Sequence, residues 1–290
     1  MEASTCSTPF IELPSPFAVD CGVVKMIEPG DADRQALLDQ VIHGVYDKPF
    51  VIDDGYARTL YFSLHYAQSA MRLRRPFDLE LLYTRKMMSF LLFMEQPPDS
   101  ILMLGLGGGS LAKYCYRRLP AAQIRVVEVN PHVLAFREQF SIPPDDERFQ
   151  VILGDAAAYV AACPERPAVI MMDAFDRHGF PDSVSSRDFY ADVRRALAED
   201  GLMVANLAGE EDERLAHLEM IRREFGPHTL VLPVSNDGNH IVFAFRDPDF
   251  EPCWSTIEGR AVALGKEGNL DFVKYAQKLA RAQARADAAT

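Results

Sequence analysis

From Ile101 onward, short apolar runs alternate with segments whose apolar residues recur every three to four positions. The runs at 101–105, 124–129, 149–153, 168–173 and 201–206 predict strands, and the periodic segments predict helices near 110–119, 131–140, 156–162, 186–199 and 210–225. Such alternation builds a parallel sheet with right-handed crossovers and helices on both faces. The end of the pattern differs. Residues 229–234 and 240–245 are apolar runs around Ser-Asn-Asp-Gly-Asn, which predicts an antiparallel hairpin added to the sheet. The expected fold class is therefore α/β, with a doubly wound sheet of seven strands.

The earlier part of the chain has another rhythm. Residues 1–20 contain Pro9, Pro14 and Pro16 and predict an extended N-terminal arm. Residues 21–77 carry short alternating runs with turns at Pro29-Gly30 and Asp54-Gly55, which predicts a small β-rich domain. A helix is expected over 78–95, stopped by Pro97-Pro98. The larger catalytic domain is expected over 78–250, followed by a helical tail over 251–290.

The densest chemistry sits where the first strand of the alternating half ends. Ile101-Leu-Met-Leu runs into Gly105-Leu-Gly-Gly-Gly-Ser110, and a helix opens at Ser110. Glycines let the backbone turn sharply and approach a ligand, and a helix N-terminus offers free N–H groups. Acids then follow successive strands. Glu128 ends Ile124-Arg-Val-Val-Glu, Asp155 follows Phe149-Gln-Val-Ile-Leu-Gly, and Asp173 and Asp176 end Val169-Ile-Met-Met-Asp-Ala-Phe-Asp. In a doubly wound sheet the ligand lies beyond the carboxyl ends of the strands, so the four acids are expected to face one pocket.

Glu128, at the distance from the loop where a ribose-binding acid belongs, is expected to take both ribose hydroxyls. Asp155 suits an adenine amine, which needs an acceptor. A third loop position filled by Ser110 argues against a dinucleotide, and the closing hairpin favours a sulfonium nucleoside. Asp173 and Asp176, spaced i, i+3, are expected to hold one ammonium and take its proton. The plain alternative makes Asp176 a turn residue before Arg177. On the ribose assignment, Glu128→Ala is expected to weaken nucleoside binding with little change in melting temperature.

Composition narrows the setting. A net charge of −12 argues against a polyanionic partner and suits a cationic ligand. The basic cluster Arg72, Arg74, Arg75 reads as a solvated face. Five scattered cysteines have no metal-ligand spacing and suggest no disulfide framework, so no metal and a reducing cytoplasm are expected. No apolar stretch reaches the roughly 20 residues of a membrane span, and no signal-peptide pattern opens the chain.

These residues resemble the spermidine synthase (polyamine aminopropyltransferase) family, which shares the Rossmann-like class I methyltransferase fold. The likeness runs over about 45–246. It rests on the Gly-rich loop, Val127-Glu-Val-Asn-Pro131, Gly154-Asp155-Ala156, Asp173-x-x-Asp176, Phe189-Tyr190 and Gly201-Leu-Met-Val. The resemblance implies donor contacts from Gly105, Gly107, Gly108, Gly109, Ser110, Glu128, Val129, Asp155, Ala156 and Gln68. It implies Asp176 as the base that deprotonates the attacking amine, with Asp173 and Tyr83 beside it. The implied reaction moves an aminopropyl group from decarboxylated S-adenosylmethionine to putrescine or a related amine. That donor, or intact S-adenosylmethionine, is a co-substrate rather than a tightly bound cofactor. A cytoplasmic homodimer acting on a small amine, with neither nucleic acid nor membrane, completes the expectation.

Several positions depart from the family pattern. The family loop Gly-Gly-Gly-Asp-Gly-Gly uses its Asp for the donor ammonium, and Ser110 is aligned with that Asp. Tyr-His-Glu is Tyr83-Thr84-Arg85, and the Pro after Asp-x-x-Asp is Arg177. The competing readings are a methyltransferase using intact S-adenosylmethionine, a non-catalytic nucleoside-binding protein and, last, a nicotinamide dehydrogenase.

Overall fold

A computed structural model describes residues 10–15, 22–227, 229–234, 238–267 and 269–287. Cys6, Cys21, Pro9, Pro16 and the hairpin residues Ser235, Asn236 and Asp237 lie outside the described residues. The chain forms two compact units. One holds the residues up to Glu80 together with Gly107–Tyr114 and Asn130–Pro143. The other holds Leu81–Leu106, Cys115–Val129 and the chain from Pro144 onward.

The first unit is built on an antiparallel sheet of β1 (Ile11–Pro14), β2 (Val23–Met26), β3 (Phe50–Asp53), β4 (Ala57–Ser63) and β5 (Tyr66–Arg72), in that order. Within the segment expected as an arm, Ile11 and Leu13 alternate with Glu12 and Pro14, and the two apolar side chains are buried. That period of two makes the segment a strand. A helix that the sequence pattern did not suggest, α1 (Arg34–Ile42), lies between β2 and β3. Asp33 caps it by accepting from the N–H groups of Gln35 and Ala36. Only Leu37 and Val41, four apart, are buried from it, a stripe too short to stand out in the sequence. They join Val24, Met26, Tyr46 and Phe50 in one core.

The unit's other helix of interest is short. A helix was expected over 131–140, but α4 spans only Pro131–Ala135. Turns follow, in which the Phe140 carbonyl accepts from Lys113 Nζ at 2.7 Å, while Phe136 and Phe140 are both buried. Of the basic cluster, Arg72 pairs with Glu80 and Arg75 with Asp78, so it is an ion-paired face.

The second unit carries the seven-stranded sheet, in the order β11-β12-β10-β9-β6-β7-β8. Its strands are β6 (Ser100–Leu104), β7 (Gln123–Glu128), β8 (Phe149–Leu153), β9 (Val169–Met172), β10 (Leu202–Leu207), β11 (Leu230–Pro233) and β12 (His240–Phe245). Strands β8, β7, β6, β9 and β10 are parallel, and β12 runs antiparallel to both β10 and β11. The parallel sheet closed by an antiparallel hairpin is the α/β fold expected from the sequence.

The helices follow the strands. They are α2 (Leu82–Met87), α3 (Ser110–Arg118), α5 (Ala156–Ala161), α6 (Arg187–Ala196), α7 (Glu211–Phe225), α8 (Trp254–Glu267) and α9 (Phe272–Asp287). The helix expected over 78–95 is instead α2 followed by a 3-10 turn, Met88–Leu92. Met87, Met88, Ser89 and Phe90 are buried in succession, and Arg260 of α8 donates to the Leu92 carbonyl. Packing on all sides overrides helical propensity here. The 3.6-residue period is clear in α6, where Phe189, Tyr190, Val193 and Ala196 pack on Leu104, Met172 and Ala205 of the sheet. No described helix is long and apolar enough to cross a membrane.

Candidate active site

The strand registers decide which residues share an edge. Leu104 pairs with both Val127 and Met172, Glu128 with Leu153, and Met172 with Ala205. The residues just past the carboxyl ends of β6, β7, β8 and β9 are Gly105, Val129, Gly154 and Asp173, and Asn206 stands near the end of β10, one residue after Ala205. The order of strand addition reverses between the parallel neighbours β6 and β9, since β7 and β8 are added to one side and β9 and β10 to the other. At such a switch point the strand ends open a crevice. Gly105 and Asp173 stand on its two sides.

Gly105 has φ +97°, and a Cβ there would lie 2.3 Å from the Asp173 carbonyl oxygen. Glycine is required twice over, by its conformation and by the close approach. The Gly105 N–H bonds the Val127 carbonyl at 2.8 Å, and the Asp173 N–H bonds the Leu104 carbonyl at 2.9 Å. The loop start and the acid-bearing strand end are thus held against each other by backbone.

Glu128 is 8% exposed, and its Oε2 accepts from the Leu106 N–H at 2.9 Å. This ties the end of β7 to the loop that follows β6. Asp155 caps α5, with Oδ1 accepting from the Ala158 N–H at 2.8 Å. Ala156 is buried beneath it, and Val129 is exposed.

Asp173 is bound on both oxygens. Tyr83 Oη donates to its Oδ2 at 3.1 Å, and Asn206 Nδ2 donates to its Oδ1 at 2.9 Å. Burial raises its proton affinity above that of an ordinary aspartate, and the two donors, first Asn206 and then Tyr83, pull it part of the way back. Burial and the adjacent carboxylate push the Tyr83 phenol up, so it stays a donor. Asp176 is different. It is exposed, its Oδ1 accepts from the His178 N–H at 2.6 Å, and its own N–H bonds the Gly179 carbonyl. That is the turn geometry named as its plain alternative.

The first unit places the remaining loop residues. Gly107, Gly108 and Gly109 precede Ser110, whose Oγ lies 3.1 Å from Ser69 Oγ. A Cβ at Gly108 would meet Ser69 Oγ at 2.7 Å and Phe140 Cδ1 at 2.8 Å, and one at Gly109 would meet Ile142 Cδ1 at 2.6 Å. In the β4–β5 register Leu60 pairs with Ser69 and Tyr61 with Ala67, and the register shifts at Gln68 between them. Gln68 is the extra residue of a β-bulge, a device that re-aims a side chain. Lys113, fully enclosed, is pushed down to about 7 by burial.

Counting from Gly105, the residue directly after β6, the fourth loop position is Gly108. The alignment of Ser110 with the family Asp therefore shifts by two residues. On either alignment no acid stands between Gly105 and Lys113.

Asn206 is the partner that sequence reasoning missed, and it had a signal: it is the one polar residue in the buried strand Leu202–Leu207. Asn239, whose Nδ2 donates to Asn206 Oδ1 at 3.1 Å, had none beyond its place in a turn-like sequence. Among the described residues, no three or more His, Cys, Asp or Glu side chains gather as a metal site.

Comparison with known proteins gives the family. The spermine/spermidine synthase domain model matches residues 80–224. The polyamine aminopropyltransferase of Neisseria meningitidis is 33% identical over 223 residues, covering 77% of this chain and 85% of that protein. The chain belongs to the spermine/spermidine synthase family. Among crystal structures, a probable spermidine synthase from Corynebacterium glutamicum superposes with a TM-score of 0.60 at 19% identity, over 81% of this chain and 93% of that one. Human methyltransferase-like protein 13, in complex with SAH, also reaches 0.60, at 22% identity over 64% of this chain and 92% of that one. At these identities the two structures speak for the fold.

Proposed function

We propose that this member of the family transfers an aminopropyl group from decarboxylated S-adenosylmethionine to putrescine or a related amine. The observation that carries the reading is the Asp173 carboxylate, half-buried at the switch point and bound by Tyr83 and Asn206. An amine is protonated at neutral pH and attacks only after losing a proton. Its nitrogen then bonds to the propyl carbon. The carbon–sulfur bond breaks with its electron pair moving to sulfur, and methylthioadenosine leaves as a neutral thioether. A carboxylate of raised proton affinity accepts the amine proton better than an ordinary one. This favours Asp173 as the base and leaves Asp176, engaged in its turn, to attract the cationic acceptor. The products decide the matter: mass spectrometry after incubation with each donor and a panel of amines finds methylthioadenosine for aminopropyl transfer. A small-molecule amine as partner, with a cytoplasmic homodimer as the working form, belongs to the same reading.

A second reading, methyl transfer from intact S-adenosylmethionine, is favoured by one observation. The loop from Gly105 to Lys113 holds no acid to pair with an aminopropyl ammonium or to repel a carboxylate. The chain is therefore expected to discriminate only modestly between the two donors, by about tenfold, since the missing ion pair is worth roughly 1–3 kcal/mol. Ser110→Asp, two residues beyond the loop position of Gly108, returns an acid to the same loop and should shift preference towards the decarboxylated donor. Paired titrations measure both. A wild-type preference above about a hundredfold would show that an acid elsewhere selects the donor, and S-adenosylhomocysteine as the product would establish methyl transfer.

In the same reading Glu128 accepts from both ribose hydroxyls, and Asp155 accepts from the adenine amine. Glu128→Ala should weaken donor binding at least about tenfold. The expectation of an unchanged melting temperature does not survive the Leu106 hydrogen bond. Removing the acceptor orphans a buried N–H at a cost of about 1–3 kcal/mol, so the melting temperature should fall by roughly 2–10 °C. Calorimetry with and without donor reads both effects, and an unchanged donor affinity would remove Glu128 from the ribose site.

A further inference from the structure

We propose that Asn239 is a positioning residue for Asp173, acting through Asn206 to fix which end of an amide meets the carboxylate. The inference rests on Asp173 serving as the proton acceptor. Asn206 is 3% exposed in a strand whose other residues are apolar and buried. A primary amide fits its space almost equally well in either orientation, so hydrogen bonds alone choose between them. With Nδ2 towards Asp173 the amide donates to the carboxylate, and with Oδ1 towards it two acceptors face each other. Asn239 makes the choice. Its Nδ2 donates to Asn206 Oδ1 at 3.1 Å, which turns Asn206 Nδ2 onto Asp173 Oδ1 at 2.9 Å.

The backbone that carries Asn239 is held in turn. Its carbonyl accepts from the Val234 N–H at 2.7 Å, closing the hairpin backbone across β11 and β12. The adjoining Pro233 carbonyl accepts from Lys86 Nζ at 2.6 Å. Lys86 lies one turn beyond Tyr83 on α2, and Tyr83 donates to the other oxygen of Asp173. The hydrogen bonds therefore close a circuit from α2 through the hairpin and β10 to the carboxylate and back to α2. Tyr83 is the titratable group that faces Asp173 from α2, Asn206 faces it from β10, and Gly105 after β6 presents only backbone. Donors on both oxygens favour the ionised form against burial, and an acceptor in place of one donor would disfavour it.

The test uses the full chain. Asn239→Leu and Asn239→Ala each remove the donor without adding charge, so a folding failure in one leaves the other. The Asp173 carboxyl is titrated by carbon-13 NMR, assigned by its loss in Asp173→Asn. Its midpoint should rise by about half to one pH unit in both Asn239 variants and by more in Asn206→Leu, with Asn239→Gln restoring part of the change. The acid limb of kcat/KM should move by the same amount, with donor affinity unchanged. A midpoint that stays at the wild-type value in the Asn239 variants overturns the proposal, whether or not Asn206→Leu moves it. A protein that turns over no amine would overturn aminopropyl transfer instead, while the NMR titration would still decide the positioning.

Discussion

Asp173→Asn lowers turnover about 10²–10⁴-fold, the usual worth of a positioned base, while donor binding persists. The amide keeps the shape and loses the ability to take a proton. Asp176→Asn should cost much less, about tenfold, because Asp176 is exposed and engaged with the His178 N–H. The pH profile carries the sign. Burial raises the proton affinity of Asp173, so the carboxyl keeps its proton to a higher pH than a free aspartate. Activity should therefore rise with pH through a limb displaced upward from the ordinary carboxylate range. Stability runs the other way. A carboxyl harder to ionise when folded costs stability as pH rises from the unfolded to the folded pKa, so Asp173→Asn should not lower the melting temperature at neutral pH. Single-turnover rates and donor affinities for the two variants settle the assignment. A fully active Asp173→Asn protein, with Asp176→Asn inactive, would return the base to Asp176.

Gly105→Ala is expected to have the largest effect on stability, about 2–5 kcal/mol, combining a positive φ with forced overpacking. The new methyl would sit 2.3 Å from the Asp173 carbonyl oxygen, and that oxygen belongs to backbone, which does not swing aside. Relief requires β6 and β9 to part at the switch point, so donor binding and turnover should fall with stability. Gly154→Ala is the control. It too follows a parallel strand of the same sheet, but a Cβ there meets nothing within 4 Å. Its melting temperature should stay within the change of about 0.5 kcal/mol usual for a tolerated surface substitution. Equal melting temperatures for the two variants would show that the close approach at Gly105 is not rigid.

The pattern of apolar runs was enough for the alternating sheet, because a parallel strand buried on both faces must be apolar throughout and its crossover helix amphipathic. Val169–Met172 and α6 show both signatures without tertiary context. The helix over 78–95 was misjudged because Met87 to Phe90 are buried in succession, and packing rather than periodicity set their backbone. The helix α1 was missed because its buried stripe is only two residues long.

At the site, the residue types and their places after strands were visible along the chain: Glu128, Asp155, Asp173 and Asp176 each follow an apolar run. Their different roles were not. The i, i+3 spacing treats Asp173 and Asp176 alike, and only the folded chain binds one to Tyr83 and Asn206 and turns the other into a loop contact. Tyr83 and Asp173 are ninety positions apart, and Asn239, just before β12, meets Asn206, which binds the carboxylate, because β10 and β12 pair side by side. Local sequence determines which groups stand at the strand ends. The order in which the strands pair decides which of those groups touch, and a carboxylate's proton affinity depends on what touches it.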